Sequence, residues 1–375
     1  MSRPSPLPGA SREAWAQLRN WQDTAGEPGQ LVIETSGSTG ERKRVLLSRR
    51  AMRASAAATA RRLGGPGQWL LALPSSYVAG AQVLFRSALA GAEPVFLAEH
   101  DDLSAAVAAT KGQRRYTSLV PTQLTRMLSN ERDVAALRSF DTILLGGAAT
   151  GSRLLDAAER SGLRVVATYG MSETCGGCVY DGVALDGVAV AVSDTGRVRI
   201  SGPVLFDGYD GRPDLTSQVL KDGWFLTSDF GRLDDDGRLQ VLGRMDDVVI
   251  SGGVKVPTAA VAARTLEHPH VLDVAVVGVP DREWGQAVVA VVVTSADVAL
   301  GEIRDLVGES HPRAWAPRRL VAANEIPLLV NGKVDRRGVE RLAAGEPSPE
   351  RCAAQPETGG GHSELGAAQW GARRG

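Results

Sequence analysis

Thr35, Ser36, Ser38 and Thr39 crowd four hydroxyls into five residues, Gly37 and Gly40 interrupt them, and Lys43 follows. Hydroxyl and backbone N–H groups donate to phosphate oxygens, glycines let the chain turn close around them, and a lysine adds a mobile positive charge. The group has the chemistry of a polyphosphate cradle. It is not the common nucleotide loop, which ends in Gly-Lys-Ser/Thr and enters a helix. Here Gly40 leads through Glu41-Arg42-Lys43 into the extended-looking run Val45-Leu46-Leu47. An ordinary solvated turn has the same composition, so this loop does not decide the matter alone.

Other groups could share the work. Thr168-Tyr169-Gly170-Met171-Ser172-Glu173-Thr174 follows an apolar run. A carboxylate there can hold Mg²⁺ against phosphates, and the neighbouring hydroxyl of Ser172 can bind an α-phosphate. The plain alternative is a strand-to-loop junction. Gly146-Gly147-Ala148 leaves room for a flat base against the backbone, or merely for close packing. Asn331-Gly332 makes a tight turn with Lys333 at its tip, where lysine is commonly just solvated. Arg86 sits in an otherwise apolar helix and needs an anionic partner, either a protein carboxylate or a ligand.

Positioning these groups takes a scaffold of alternating elements. Strands are expected at 31–34, 69–73, 94–97, 116–120, 142–145 and 164–168. Helices are expected near 15–21, from Ser48 as cap to Leu63, at 78–90, from Pro121, and at 152–160. That alternation argues for a parallel, layered α/β domain. From Val183 to Leu242 short strands with Asp/Gly turns suggest a β-rich subdomain. A smaller α+β unit follows, with a helix from Pro257, strands at 271–279 and 287–293, and a helix from Leu300. The expected division is a large domain over 1–244, a small one over 245–345, and a disordered tail over 346–375.

The order Thr-Ser-Gly-Ser-Thr-Gly-x-x-Lys, with the later motifs in sequence behind it, resembles the adenylate-forming enzymes, the acyl-CoA synthetase and luciferase superfamily. The resemblance runs from Thr35 to Arg336. It implies a large layered α/β N-terminal domain with a β-rich subdomain and a small mobile α+β lid. It also implies ATP, Mg²⁺ and CoA as cofactor and co-substrates. By the same resemblance Thr35, Ser36, Gly37, Ser38, Thr39, Gly40 and Lys43 hold the phosphates. Gly147, Ala148, Tyr169, Gly170 and Met171 line the adenine side, and Glu173 is the Mg²⁺ ligand beside Ser172. Gly223-Trp224-Phe225-Leu226-Thr227-Ser228-Asp229 is similar to the family's Gly-Trp-x-x-Thr-Gly-Asp, which makes Asp229 the ribose ligand. A carboxylate suits a vicinal diol because it only accepts. Arg244 would contact ribose or phosphate, Asp246 would be the hinge, and Gly253 would pass beside a pantetheine arm. Lys333 matches the adenylation lysine, which bridges the attacking carboxylate and the α-phosphate. Ser172 and Ser228 depart from the family's threonine and glycine, and Tyr77 stands where histidine is common.

Two strings narrow the acid. Glu173-Thr174-Cys175-Gly176-Gly177 resembles a stretch of the superfamily branch that activates o-succinylbenzoate for menaquinone biosynthesis. In that branch a helix like Val78–Ala90 carries an arginine at the position of Arg86, facing the carboxylate that is not activated. Another aryl- or acyl-CoA ligase, or a catalytically silent nucleotide-binding relative, remains an alternative. Cys175-x-x-Cys178 also spells a redox or zinc motif, but it has no second pair and no nearby histidine.

The formal net charge of −1 over 375 residues gives no global field for nucleic acid or a membrane surface. Hydrophobic content of 43% with 23% charge is that of a globular protein. Three cysteines suggest a reducing cytoplasm, and Met1 to Pro8 has no signal-peptide pattern. Only 34 residues precede the phosphate loop, so part of the family's usual N-terminal subdomain is expected to be absent, as in some compact members of the o-succinylbenzoate branch. The resemblance also allows a homodimer.

Overall fold

The structure, a computed structural model, describes residues 6–8, 11–36, 42–328 and 334–345. Its centre is a seven-stranded sheet in the order Val95–Phe96, Gln68–Leu71, Arg115–Leu119, Thr142–Leu145, Val165–Met171, Gly176–Tyr180, Val183–Ala184. The first five run parallel and the last two turn back antiparallel. The parallel part is what the strand–helix alternation predicts. Short apolar strands such as Thr142–Leu145 are buried on both faces and carry little polar signal.

Helices cover this sheet. Arg49–Arg62 starts where Ser48 accepts from the N–H of Ala51, a cap worth about 1 kcal/mol. Val78–Leu89 is apolar around most of its circumference and is buried from Gly80 to Ser87, as a helix inside a domain must be. Pro121 occupies the first turn of Pro121–Leu128, where its missing N–H costs nothing. The helix Ser152–Arg160 has the expected bounds.

The strand expected at 164–168 is longer, at Val165–Met171. Tyr169 to Met171 therefore lie inside a strand rather than after it. The reason is pairing: Tyr169 faces Val179, and Gly170 and Met171 face Gly177 and Gly176 across a hairpin. A Cβ on Gly170 would lie 2.1 Å from the Gly176 carbonyl oxygen, so glycine is required at that crossing.

A three-stranded antiparallel sheet joins Leu31–Ser36, Arg42–Leu47 and Gly208–Tyr209. A five-stranded sheet joins Ala189–Val192, Arg197–Ser201, Trp224–Leu233, Leu220–Lys221 and Leu239–Arg244. This is the expected β-rich region. Beyond the 3₁₀ turn Met245–Asp247 come the hairpin Val248–Ser251/Val254–Pro257 and a sheet of Val271–Asp281, Gly285–Thr294 and Arg319–Ala322. Helices Thr258–Leu266, Leu300–Gly308 and Arg336–Ala344 pack on it. Strand Arg319–Ala322 runs parallel to Gly285–Thr294; it was not expected from the sequence, being four residues with a single alternation. Phe230 and Leu242 of the β-rich sheet join a core with Val249, Val256, Val261 and Trp315, which ties the two regions together. Among the described residues no helix is long and apolar enough to cross a membrane.

Candidate active site

The site forms where the C-terminal ends of the parallel strands meet the two smaller sheets. Glu173 lies in the 3₁₀ turn Ser172–Thr174, directly after the strand Val165–Met171. Its Oε1 accepts from the hydroxyl of Tyr209 at 2.8 Å, and its carbonyl accepts from the N–H of Phe206 at 2.9 Å. Burial and the adjoining carboxylate push the Tyr209 phenol well above its ordinary pKa. It stays a donor.

Tyr209 is in turn paired with Val45 on the strand that leaves the hydroxyl-rich loop. On that hairpin Thr35 faces Lys43, with Thr35 Oγ1 3.5 Å from the Lys43 carbonyl oxygen. Lys43 Nζ stands 5.4 Å from the Tyr209 ring centroid. Sheet pairing thus brings the candidate metal carboxylate and the base of the loop together. Gly37, Ser38, Thr39 and Gly40 lie outside the described residues, as does Lys333, and the side chain of Ser36 is likewise undescribed.

A second cluster sits at Asp229, which is 9% exposed. Its Oδ2 accepts from the Tyr169 hydroxyl at 2.6 Å, its N–H donates to Thr227 Oγ1, and Arg244 Nη1 stands 3.6 Å from its Oδ1. Burial first, then the Asp229 charge, raises the Tyr169 pKa. Arg244 also reaches Asp246 at 3.5 Å. Tyr169, Asp229, Arg244 and Asp246, assigned separately to adenine, ribose, ribose or phosphate, and the hinge, are linked in one chain of a hydrogen bond and ion pairs. Gly147 is exposed with φ +86°, Ala148 is exposed beside it, and Ser172 is buried. Gly252 and Gly253 form the left-handed turn of the hairpin, with Gly252 against Trp284 and open space around a Cβ on Gly253.

Between these clusters and the helix Val78–Leu89 is a cavity of about 110 Å³. Gln82, Arg86, Gly147, Gly170, Gly177 and Tyr180 are among its walls. The carbonyl of Cys175, the neighbour of the lining Gly176, accepts from Ser55 Oγ at 3.1 Å and Gln82 Nε2 at 2.8 Å. Those bonds hold Cys175 at φ +52°, a backbone state uncommon for a residue with a side chain. Gln82 Oε1 is left without a partner. Cys175 and Cys178 are free and buried, and burial pushes the Cys178 thiol up to about 12. Such thiols are inert as nucleophiles near neutral pH.

Arg86 is 8% exposed. Nη2 donates to Thr59 Oγ1 at 3.1 Å, Thr59 bonds the Tyr180 hydroxyl at 3.0 Å, and the guanidinium stands 5.1 Å from the Trp69 ring centroid. No described carboxylate pairs with it, and its Nε has no partner. Burial lowers its pKa, opposed by Tyr180. Of the two partners the sequence left open, the protein carboxylate is not among the described residues.

Sequence reasoning missed Tyr209, Gln82, Thr59 and Tyr180. Tyr209 follows Asp207-Gly208 in a stretch that reads as one more turn; only its pairing with Val45 gives it a role. Gln82 gave a weak signal, as a polar residue one turn before Arg86 on an apolar helix.

A profile of AMP-binding enzymes matches residues 24–209, and one of the C-terminal domain of AMP-binding enzymes matches residues 260–333. A protein of Mycobacterium tuberculosis described as a probable 2-succinylbenzoate–CoA ligase is 44% identical over 326 residues, which are 84% of this chain and 85% of that protein. The solved o-succinylbenzoate CoA synthetase (MenE) from Bacillus subtilis in complex with the acyl-adenylate intermediate OSB-AMP superimposes with TM-score 0.68 at 27% identity. It covers 83% of this chain and 68% of that one. The same Bacillus subtilis protein in complex with ATP and magnesium ion gives TM-score 0.66 at 27% identity, over 82% and 69%.

Proposed function

The chain belongs to the family of AMP-binding enzymes, and from that premise we propose that it is an AMP-forming acid–CoA ligase acting on o-succinylbenzoate, in menaquinone biosynthesis. The observation that carries the substrate is Arg86, a buried guanidinium with an unpartnered Nε at the wall of a small slot. Removing a charge from water without a counter-ion is expensive, and a dianionic aromatic acid supplies one. A monocarboxylate substrate leaves that cost standing.

In the first half-reaction the acid's carboxylate attacks the α-phosphorus of ATP, a C–O–P bond forms and pyrophosphate leaves. Thr35, Ser36, Gly37, Ser38, Thr39, Gly40 and Lys43 are assigned to the phosphates, Gly147, Ala148, Tyr169, Gly170 and Met171 to the adenine, and Asp229 with Arg244 to the ribose. Glu173 beside Ser172 suits Mg²⁺, since a half-buried carboxylate held by one phenol still has lone pairs to give. Bound there, the metal would neutralise phosphate charge. Lys333 is assigned to the charge that develops between carboxylate and α-phosphate.

In the second half-reaction the CoA thiolate attacks the acyl carbon, the C–S bond forms and AMP leaves. The proposed domains, 1–244 and 245–345, meet at Arg244–Met245, and Asp246 is the proposed pivot that exchanges Lys333 for the Gly253 turn. The 3₁₀ turn Met245–Asp247, none of whose residues is buried and in which Asp246 is exposed, supports that division. A cytoplasmic setting and pairing of two copies belong to the same reading, and fractionation and sedimentation test them. The reading as a whole is tested by assaying CoA-thioester formation from o-succinylbenzoate beside benzoate and medium-chain acids.

A further inference from the structure

Behind the acyl slot lies a second cavity of about 200 Å³, between the helices Arg49–Arg62 and Val78–Leu89 and the strand Gln68–Leu71. Its walls include Ala56, Ala60, Leu63, Trp69 and Tyr116. The Tyr116 hydroxyl is already used on the carbonyls of Leu63 and Gly65, and that of Thr59, also in the wall, on Arg86 and Tyr180, so the rest of the wall offers mostly methyl and ring surface. Ala57, Pro66 and Leu89 line it and are exposed, Leu89 by 40%, so the cavity reaches solvent.

Arg86 is the one described residue that lines both cavities. The rear cavity is therefore an apolar pouch with a guanidinium at its inner end. That guanidinium has a donor with no acceptor and no described carboxylate beside it. One carboxylate neutralises one guanidinium and matches its fork, while an apolar body fills the pouch. A second charge short of the mouth would lie against methyl groups, and a neutral molecule would leave the guanidinium uncompensated.

We propose that the rear cavity is a second binding site, for a single-headed apolar carboxylic acid entering from the protein surface, and that its occupation inhibits the ligase by engaging Arg86 from behind. The inhibition rests on the reading of Arg86 as the contact for the substrate's distal carboxylate; the binding does not.

Octanoate is the probe, titrated by calorimetry into the full chain, with octanamide as the uncharged control. Octanoate binds saturably, and octanamide binds about tenfold more weakly or worse, as expected when a charge-assisted bond is lost. Ala60→Phe fills the pouch and lowers octanoate affinity by about tenfold or more, with o-succinylbenzoate turnover within about twofold of the parent. Should Ala60→Phe fail to fold, Leu89→Glu at the exposed mouth gives the same result by charge repulsion. In the parent, octanoate raises the KM for o-succinylbenzoate and leaves that for ATP unchanged. No saturable binding overturns the proposal, and so do binding and competition that persist in both variants, which place octanoate in the front slot. Binding that follows the variants in a protein that does not turn over o-succinylbenzoate keeps the site and discards the substrate.

Discussion

Tyr209 donates its hydroxyl to Oε1 of Glu173 at 2.8 Å, while its backbone is paired with Val45 on the strand that leaves the phosphate loop. One side chain thereby fixes the candidate metal carboxylate relative to the candidate phosphate site. A hydrogen bond to a charged group contributes about 1.5–3 kcal/mol, so Tyr209→Phe should raise the Mg²⁺ concentration needed for half-maximal activity by about tenfold. Activity at saturating Mg²⁺ should return near the parent value. Glu173→Gln should not recover at any Mg²⁺ concentration. A Tyr209→Phe protein with an unchanged Mg²⁺ requirement would remove Tyr209 from the account.

Asp229 spends one oxygen on Tyr169 and leaves the other facing Arg244 at 3.6 Å. Asp229→Asn turns an acceptor pair into a donor and an acceptor, mismatched to a diol and to Tyr169 alike. The KM for ATP should rise by about tenfold or more, with a smaller rise in Tyr169→Phe, which loses only the hydrogen bond. Equal effects of the two substitutions would mean that Asp229 acts only by holding Tyr169.

Arg86 separates two cavities of about 110 and 200 Å³. Arg86→Ala should cut kcat/KM for o-succinylbenzoate by about a hundredfold or more, since the distal carboxylate then meets no cation. It should also join the cavities and raise the relative rate with octanoate or decanoate. Unchanged use of o-succinylbenzoate by Arg86→Ala would assign the chain to a different acid.

Much of this was legible in the sequence, for identifiable reasons. Thr142–Leu145 and Ser152–Arg160 have the expected bounds because apolar runs and turn signals mark both ends. The helix capped by Ser48 follows from a hydroxyl in front of a long alanine-rich run. Asp229 and Glu173 stood out because each lies in a distinctive string. What the sequence did not carry was pairing. That Tyr169 touches Asp229 depends on a hairpin register and a sheet junction 60 positions apart. The strand Val165–Met171 outran its expected end because Gly176 and Gly177 fold back onto it, a contact no local periodicity encodes. The open question of Arg86's partner turned on what lies around it in space, where Thr59 and Tyr180 supply hydroxyls and no carboxylate.

His311 packs against Trp315 with ring centroids 5.2 Å apart, and its Nδ1 is buried without a partner. Burial first, then the nearby Arg232 and Arg264, holds its pKa below the ordinary histidine value. The unfolded chain therefore takes up a proton at a pH where the folded one does not. Stability present above the ordinary histidine pKa of about 6.5 is lost as pH falls below it. The drop in Tm between pH 7.5 and 5.5 should be smaller in His311→Gln than in the parent. Equal drops would assign the acid sensitivity to other groups.

The most direct test mixes the purified full chain with MgATP, CoA and o-succinylbenzoate and follows thioester, AMP and pyrophosphate together. The account predicts all three in equal amounts with o-succinylbenzoate, and far less with benzoate or octanoate. Equal or better turnover of a monocarboxylate would contradict the role given to Arg86, and pyrophosphate without thioester would contradict CoA as the acceptor.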